Sequence, residues 1–325
     1  MSSVRFDILG IGNAIVDVVA PSDHGFLSKH DMHPGSMALI DADRAEMLYR
    51  EMPKGAETSG GSVANTCAVA ANLGARVAFL GKVAQDRLGD AFRRDITEAG
   101  VHFPSAPLTE GAPTARCLIL VTPDGQRTMN TFLGACVAFG PHDVDTDLVA
   151  QSAVIYLEGY LFDPPAAQAA FRLAARAARQ AGRQVALSLS DAFCVNRHRA
   201  AFRALLADVD VLFANEAEIC ALYEANEFDT AAEAVRAEVP LVALTRSEAG
   251  SIVIRGAETV TVPAEPTTLV DSTGAGDAYA AGFLAAYTAG RDLAACGRLG
   301  SMAAAEIISY YGARPKGDLK ARAGL

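Results

Sequence analysis

The stretch "SGGSVANTCAVAANLGARVAFLGKVAQDRLGD", Ser59–Asp90, decides the fold. Gly60 and Gly61 precede a run of small residues with helical character, and Gly74 stands where a helix C-cap belongs. "RVAFLGKV" then gives a short apolar run, the pattern of a buried strand. "DRLGDAFRRDITEAG" places Leu88, Phe92 and Ile96 at helical spacing, with Gly100 to end the helix. Helix, strand and helix follow one another without a break.

The same alternation extends outward. "RFDILGIG", "AVIYLEGY", "QVALSLS", "DVLFAN" and "VPLVALTR" are further short β-like runs. Most follow Ala, Arg and Glu-rich helical segments such as "AAQAAFRLAARAARQAG". Strands alternating with helices predict βαβ units and a mostly parallel sheet covered on both faces, an α/β/α sandwich. Two segments interrupt the pattern, Val16–Ile40 and about Phe103–Leu133. The second flanks Pro123-Asp124-Gly125 with extended runs, a hairpin signal. Together they are expected to form a small β subdomain over the sheet, the remainder forming the large domain. The polar C-terminal residues "KGDLKARAGL" are expected to fray.

The chain has 325 residues and a formal net charge of −10, which argues against nucleic-acid or anionic-membrane partners. The N-terminus lacks a basic leader pattern and no apolar run is long enough to span a bilayer, so a cytoplasmic protein is expected. The six cysteines form no CxxC pair and read as reduced, small hydrophobes. No zinc spacing occurs among the histidines.

Ligands of an α/β sheet bind beyond the carboxyl ends of its strands, so the loops there are the places to search. "GIGNAIVD" starts like a dinucleotide fingerprint, but Ile15 takes the third glycine position. What remains is Gly12, Asn13 and Asp17: turn and cap residues, or an Asp17 that accepts two hydrogen bonds from a vicinal diol. Gly61, Ser62 and Asn65 open a helix where a ligand can approach backbone N–H groups, or where Ser62 simply caps. There is no Walker A motif. "NEAE" places Asn215 and Glu218 at a strand-to-helix junction, suited either to water-mediated Mg2+ binding or to a capping box. "LTRSEAG" puts Thr245, Ser247 and Gly250 in a loop able to contact phosphates.

"DSTGAGDAYAAGF", Asp271–Phe283, is the strongest of these stretches. The segment after Gly276 is apolar on all sides and predicts a buried helix. Its unpaired N–H groups gather at Gly274, Ala275 and Gly276, and carry the positive dipole end, an anion-binding hole. Asp277 stands beside it, where a carboxylate can take a hydroxyl proton as that hydroxyl attacks a phosphate. A helix cap with a close-packing glycine pair is the plainer alternative.

These residues match a family. "DSTGAGDAYAAGFL" resembles the C-terminal signature of the ribokinase-like (PfkB) carbohydrate and nucleoside kinases, and the opening stretch resembles their N-terminal signature. The resemblance implies a ribokinase-like fold with a β lid and ATP-dependent phosphorylation of a hydroxymethyl group. It makes Asp277 the general base, the Gly274–Gly276 backbone the anion hole, and Asn215 with Glu218 the Mg2+/phosphate motif. Asn13, Asp17, Gly61, Ser62 and Asn65 fall at the acceptor site. Ser247 departs from the glycine many members carry. The resemblance also allows K+ near the anion hole, though no ligand set for it is legible. Monomer and homodimer both remain open.

"PTARCLILVTPDGQRTMNTFLGA" is similar to the lid hairpin of the family's adenosine kinases. That likeness places Cys117 at the nucleobase pocket and Arg127 where it reaches the phosphates. "LSLSDAF" shares their Ser and Phe pattern, so Phe193 either stacks on a base or is a core residue, and Tyr160 adds aromatic wall. The expected reaction is phosphorylation of the 5′-hydroxyl of a purine nucleoside, adenosine to AMP; the alternative is a sugar kinase acting on ribose or a ketohexose. A silent sugar- or nucleotide-binding regulator is disfavoured by the intact Asp277 and its glycines.

Overall fold

A computed structural model describes residues 3–324. The strands are β1 (Phe6–Ile11), β2 (Ile15–Pro21), β3 (Met37–Leu39), β4 (Ala56–Gly60), β5 (Val77–Leu80), β6 (Val101–His102) and β7 (Ala115–Val121). They continue with β8 (Arg127–Phe132), β9 (Ser152–Glu158), β10 (Gln184–Ser188), β11 (Val211–Asn215), β12 (Leu241–Thr245), β13 (Ser251–Arg255) and β14 (Glu258–Val262). They form two sheets. The larger has the order β14-β13-β12-β11-β10-β9-β1-β5-β6 and is parallel from β6 to β12. β13 and β14 extend it as an antiparallel hairpin. The mostly parallel sheet is the one the alternation predicts, and its arrangement is the ribokinase-like fold that the resemblance implies.

Helices cover both faces because the central strands are buried on both sides. One apolar core joins the sheet to helices Ser62–Asn72, Arg87–Glu98, Ala275–Thr288 and Leu293–Ile307. The other joins it to helices Pro165–Gln180, Ala192–Leu205, Glu216–Tyr223 and Phe228–Arg236. Fully burying one Leu or Phe contributes about 1.5–3 kcal/mol, so these two layers dominate stability.

The smaller sheet has the order β3-β8-β7-β2-β4. Alternation along β2 decides its geometry. Val16, Val18 and Ala20 are buried, and Ile15, Asp17 and Val19 point to the opposite face. Two features of this region differ from the sequence expectation. β4 joins the smaller sheet from outside the two expected segments, pairing antiparallel with β2. Phe103 belongs to the main core, stacked on Phe79 and edge-on to Phe92.

Other differences have local causes. The β13–β14 hairpin turns at Gly256, and the sequence reading did not include it, although "ETVTV" alternates polar and apolar residues. The expectation of fraying differs from the structure at Leu319–Ala323, while Leu325 lies outside the described residues. Leu319 is buried and its N–H donates to Asn72 Oδ1 at 2.8 Å, which docks helix Leu319–Ala323.

Candidate active site

The carboxyl ends of β1, β9, β10, β11 and β12 lie along one edge of the main sheet, and the helix Ala275–Thr288 begins at the same cleft. Gly274 caps that helix with φ 78°, a left-handed conformation that non-glycine residues rarely adopt. A Cβ there would also come within 2.6 Å of Ala313 Cβ. Ala275 N donates to Ser272 O at 3.2 Å and Ala278 N to Gly274 O at 2.9 Å. Gly276 is exposed with open space around its Cα, and it shares with Asp277 the first-turn N–H groups that have no intrahelical acceptor. The helix thus presents bare amides to the cleft.

Asp277 is the third residue of this helix and not its cap. Its carboxylate accepts from Ser62 Oγ at 2.6 Å and from Asn65 Nδ2 at 3.2 Å. Thr66 Oγ1 donates to the Asp277 carbonyl at 3.1 Å. Ser62 and Asn65 lie one turn apart on helix Ser62–Asn72, so both reach the same acid. That helix starts at Gly61, whose φ of 101° brings its Cα so near Asn13 O that a Cβ would stand at 2.1 Å. Desolvation pushes the Asp277 carboxyl up to about 6, against the lowering pull of Ser62, Asn65 and the Arg314 charge.

The smaller sheet supplies the facing wall. β2 pairs with β7 so that Asp17 lies beside Cys117, and β7 pairs with β8 so that Cys117 lies beside Thr131. Ile15, Val19, Ile119 and Met129 share this face by the two-residue period, and Arg127 stands at its end. A carboxylate set in an apolar strip is costly to charge, and burial raises Asp17 to about 6. The charges of Arg314 and Arg127 pull it down, while Asp277 pushes it up. Burial and the Asp17 charge push the Cys117 thiol up to about 12, so it is an uncharged wall residue that accepts from Thr131 Oγ1 at 3.2 Å. Arg127 pairs with Asp271 and bonds Thr273 Oγ1 at 3.1 Å, which ties this wall to the loop before Gly274.

Two residues were missed by the sequence reading. Glu158, at the end of β9, is 1% exposed. Its carboxyl accepts from Asn13 N at 3.2 Å, Asn13 Nδ2 at 2.7 Å and Val63 N at 3.0 Å. Asn13 is therefore engaged with Glu158 in this structure. Burial pushes Glu158 up to about 7. A lone charge closing the apolar run "AVIYLE" was the available signal. Arg314 is the second, in "YYGARP" after the last long helix, and nothing in its local sequence marks it.

Asn215 and Glu218 form a reciprocal capping box on helix Glu216–Tyr223. Asn215 N and Nδ2 donate to Glu218 at 2.9 and 2.6 Å, and Glu218 N donates to Asn215 Oδ1 at 2.9 Å. Burial pushes Glu218 up to about 7. Each of its oxygens keeps a lone pair for a metal-bound water, which suits indirect Mg2+ binding and not a protein cage. No group of three or more His, Cys, Asp or Glu side chains among the described residues is placed to hold a metal.

Thr245 ends β12, and the loop to Gly250 closes through Arg246 N to Gly250 O at 2.8 Å. Ser247 adopts φ 49°, which is the physical reason a glycine suits that position. Tyr160 is 39% exposed and within electrostatic reach of Asp191, Asp277, Glu218 and Glu158; burial of its phenol raises its pKa. Phe193 is 77% exposed at the start of helix Ala192–Leu205, so the core reading of Phe193 is excluded.

The fold has counterparts among known proteins. The adenosine kinase of Sinorhizobium meliloti is 52% identical with a TM-score of 0.91, covering 99% of both chains. A probable sugar kinase of Rhizobium etli is 46% identical, also with a TM-score of 0.91, covering 99% of this chain and 98% of that one. The adenosine kinase of Saccharomyces cerevisiae is 28% identical over 93% of this chain and 94% of its own. The profile of the pfkB family carbohydrate kinases matches residues 35–319. The chain therefore belongs to the pfkB family of carbohydrate kinases and is a phosphotransferase with an alcohol acceptor.

Proposed function

We propose that the protein phosphorylates the 5′-hydroxyl of a purine nucleoside, with adenosine as acceptor and ATP as donor. The observation that carries this reading is the apolar strip around Asp17. A carboxylate flanked by Cys117, Ile119 and Met129 suits a ligand with a diol at one end and an apolar ring at the other. The Asp17 carboxylate makes no hydrogen bond among the described residues, so its oxygens are open to the 2′ and 3′ hydroxyls. Tyr160 and Phe193 expose aromatic surface on the main-sheet side, where a purine stacks.

Asp277 then takes the proton of the 5′-hydroxyl as that oxygen attacks the γ-phosphorus and the bond to the β-phosphate oxygen breaks. A base near pKa 6 is mostly ionised at neutral pH and still holds a proton well enough to accept one. Ser62 and Asn65 aim the carboxylate. The amides at Gly276 and Asp277 and the Arg127 guanidinium face the charge that develops on the transferred group. Asn215 and Glu218 would hold a hydrated Mg2+, which would supply positive charge to neutralise the phosphates. Thr245, Ser247 and Gly250 line the nucleotide side. A K+ dependence would show as a difference in turnover between potassium and choline salts.

The second reading, a sugar kinase, is favoured by the Rhizobium etli neighbour and by the open setting of Phe193. A coupled ADP-release screen over nucleosides and sugars with Mg2+ and ATP separates the two. Adenosine is expected to give the highest kcat/KM. Turnover of ribose or a ketohexose with none of adenosine would overturn the nucleoside reading.

A further inference from the structure

The C-terminal segment Tyr310–Arg314 contacts the loop before Gly274, the end of β4 and the helix Ser62–Asn72. Gly312 N donates to Asp271 Oδ2 at 3.0 Å, the same carboxylate that holds Arg127. Ala313 packs against Gly274 at the mouth of the anion hole. Arg314 then turns inward. Nε and Nη2 donate to Ser59 O at 3.0 and 2.6 Å, Nη2 also to Ser59 Oγ at 2.8 Å, and Nη1 to Ala64 O at 3.0 Å.

Those acceptors matter for what they adjoin. Ser59 precedes Gly60, and Gly60 lies directly under the Asp17 carboxylate, where a Cβ would stand 2.3 Å from Oδ2. Ala64 precedes Asn65, which donates to Asp277. One guanidinium thus fixes the supports of both aspartates. Every hydrogen bond that Arg314 makes among the described residues ends on a neutral oxygen, and the largest charge acting on it is Asp95, whose carboxylate accepts from Ser59 N at 2.7 Å. Its field reaches Asp17 on β2, Asp277 on helix Ala275–Thr288, Asp95 on helix Arg87–Glu98 and Cys67 on helix Ser62–Asn72.

We propose that Arg314 is a positioning residue for phosphoryl transfer: it locks β4 to the helix Ser62–Asn72 and, by a charge shared among Asp95, Asp17 and Asp277, keeps Asp17 and Asp277 ionised together in one cleft. The proposal rests on the kinase reading above, in which both aspartates must be anionic at once. Two carboxylates in a shared desolvated site repel, and without a cation one of them holds a proton. The other charges acting on the pair are few. Arg127 acts on Asp17. Asp277 in turn acts on Glu158 and on the phenols of Tyr156 and Tyr160.

The test is an NMR titration of carboxyl-labelled aspartate in the full chain, with Asp17→Asn and Asp277→Asn to assign the signals. In Arg314→Gln both midpoints are expected to rise by about one pH unit, and the acid limb of kcat/KM to move up with them. Arg314→Lys keeps the charge but cannot serve Ser59 and Ala64 together. Its midpoints are expected near those of the unaltered chain, with kcat reduced about tenfold or more and the KM for ATP unchanged. Unmoved midpoints in a folded Arg314→Gln protein would overturn the proposal. If Arg314→Gln does not fold, Arg314→Lys decides: kcat within twofold of the unaltered chain overturns it, and the split between kcat and KM supports it. The titration needs no turnover. A chain that phosphorylates nothing in the acceptor screen would thus sink the functional reading while the midpoints still decide whether Arg314 charges the pair.

Discussion

Two asparagine–glutamate clamps, one at the ends of β1 and β9 and one at the end of β11, are built from the same bonds. In the first, Asn13 gives its backbone N–H and its Nδ2 to the two oxygens of Glu158. In the second, Asn215 gives the same two donors to Glu218. Both glutamates are buried and both are pushed up to about 7. The difference lies in the asparagines. Asn13 is 3% exposed, whereas Asn215 faces solvent. Glu158 also takes Val63 N, and so joins the β1 loop to the helix that carries Ser62 and Asn65. The Asn13–Glu158 clamp is a joint between distant segments, while the Asn215–Glu218 clamp is a local cap.

The largest separation should come from deleting each acid. Glu158→Ala strands Asn13 Nδ2, Asn13 N and Val63 N in the interior, and an unsatisfied buried donor costs about 1–3 kcal/mol. A loss of about 3 kcal/mol or more is expected in denaturant unfolding at pH 5, with weaker acceptor binding. Glu218→Ala leaves donors that water can reach and removes a capping box, so about 1 kcal/mol is expected. Equal losses in the two variants would break the contrast. In kinetics the order should reverse with the ligand: Glu218→Ala raises the KM for the Mg2+ complex of ATP more than that for the acceptor.

A separate effect is expected on varying pH. Both glutamates have folded-state values above the ordinary carboxylate range. Their contribution to stability is full below about 4.5 and is lost as pH rises through about 7. A fully buried shift of this size corresponds to about 3 kcal/mol per group. The unfolding free energy should therefore fall between pH 5 and pH 8, and the cost of Glu158→Ala should shrink over the same range. A flat profile in the unaltered protein would show that neither glutamate is desolvated in solution.

The two clamps also explain what could be read from the sequence. Asn215 and Glu218 are three residues apart, so local spacing announced them, together with the structural alternative that the geometry realises. Asn13 and Glu158 are brought together only by β1 pairing with β9, and no local pattern links them. The alternation of strands and helices in Ser59–Asp90 was legible because hydrophobic period is a local property. β4 was not, since Ala56–Gly60 reads as a polar loop until it pairs with β2. Arg314 was invisible for the same reason. Its partners Ser59 and Ala64 lie on the far side of the sequence, and a lone arginine near a C-terminus ordinarily reads as solvated surface.

The central claim is that Asp277 removes the acceptor's proton beside an amide-lined anion site. Asp277→Asn keeps the size of the side chain and its contact with Ser62 and removes the base. With the best acceptor from the screen, kcat at pH 7.5 is expected to fall by about 10²–10⁴, while the acceptor Kd from calorimetry stays within a few fold. A kcat within tenfold of the unaltered enzyme would contradict the account.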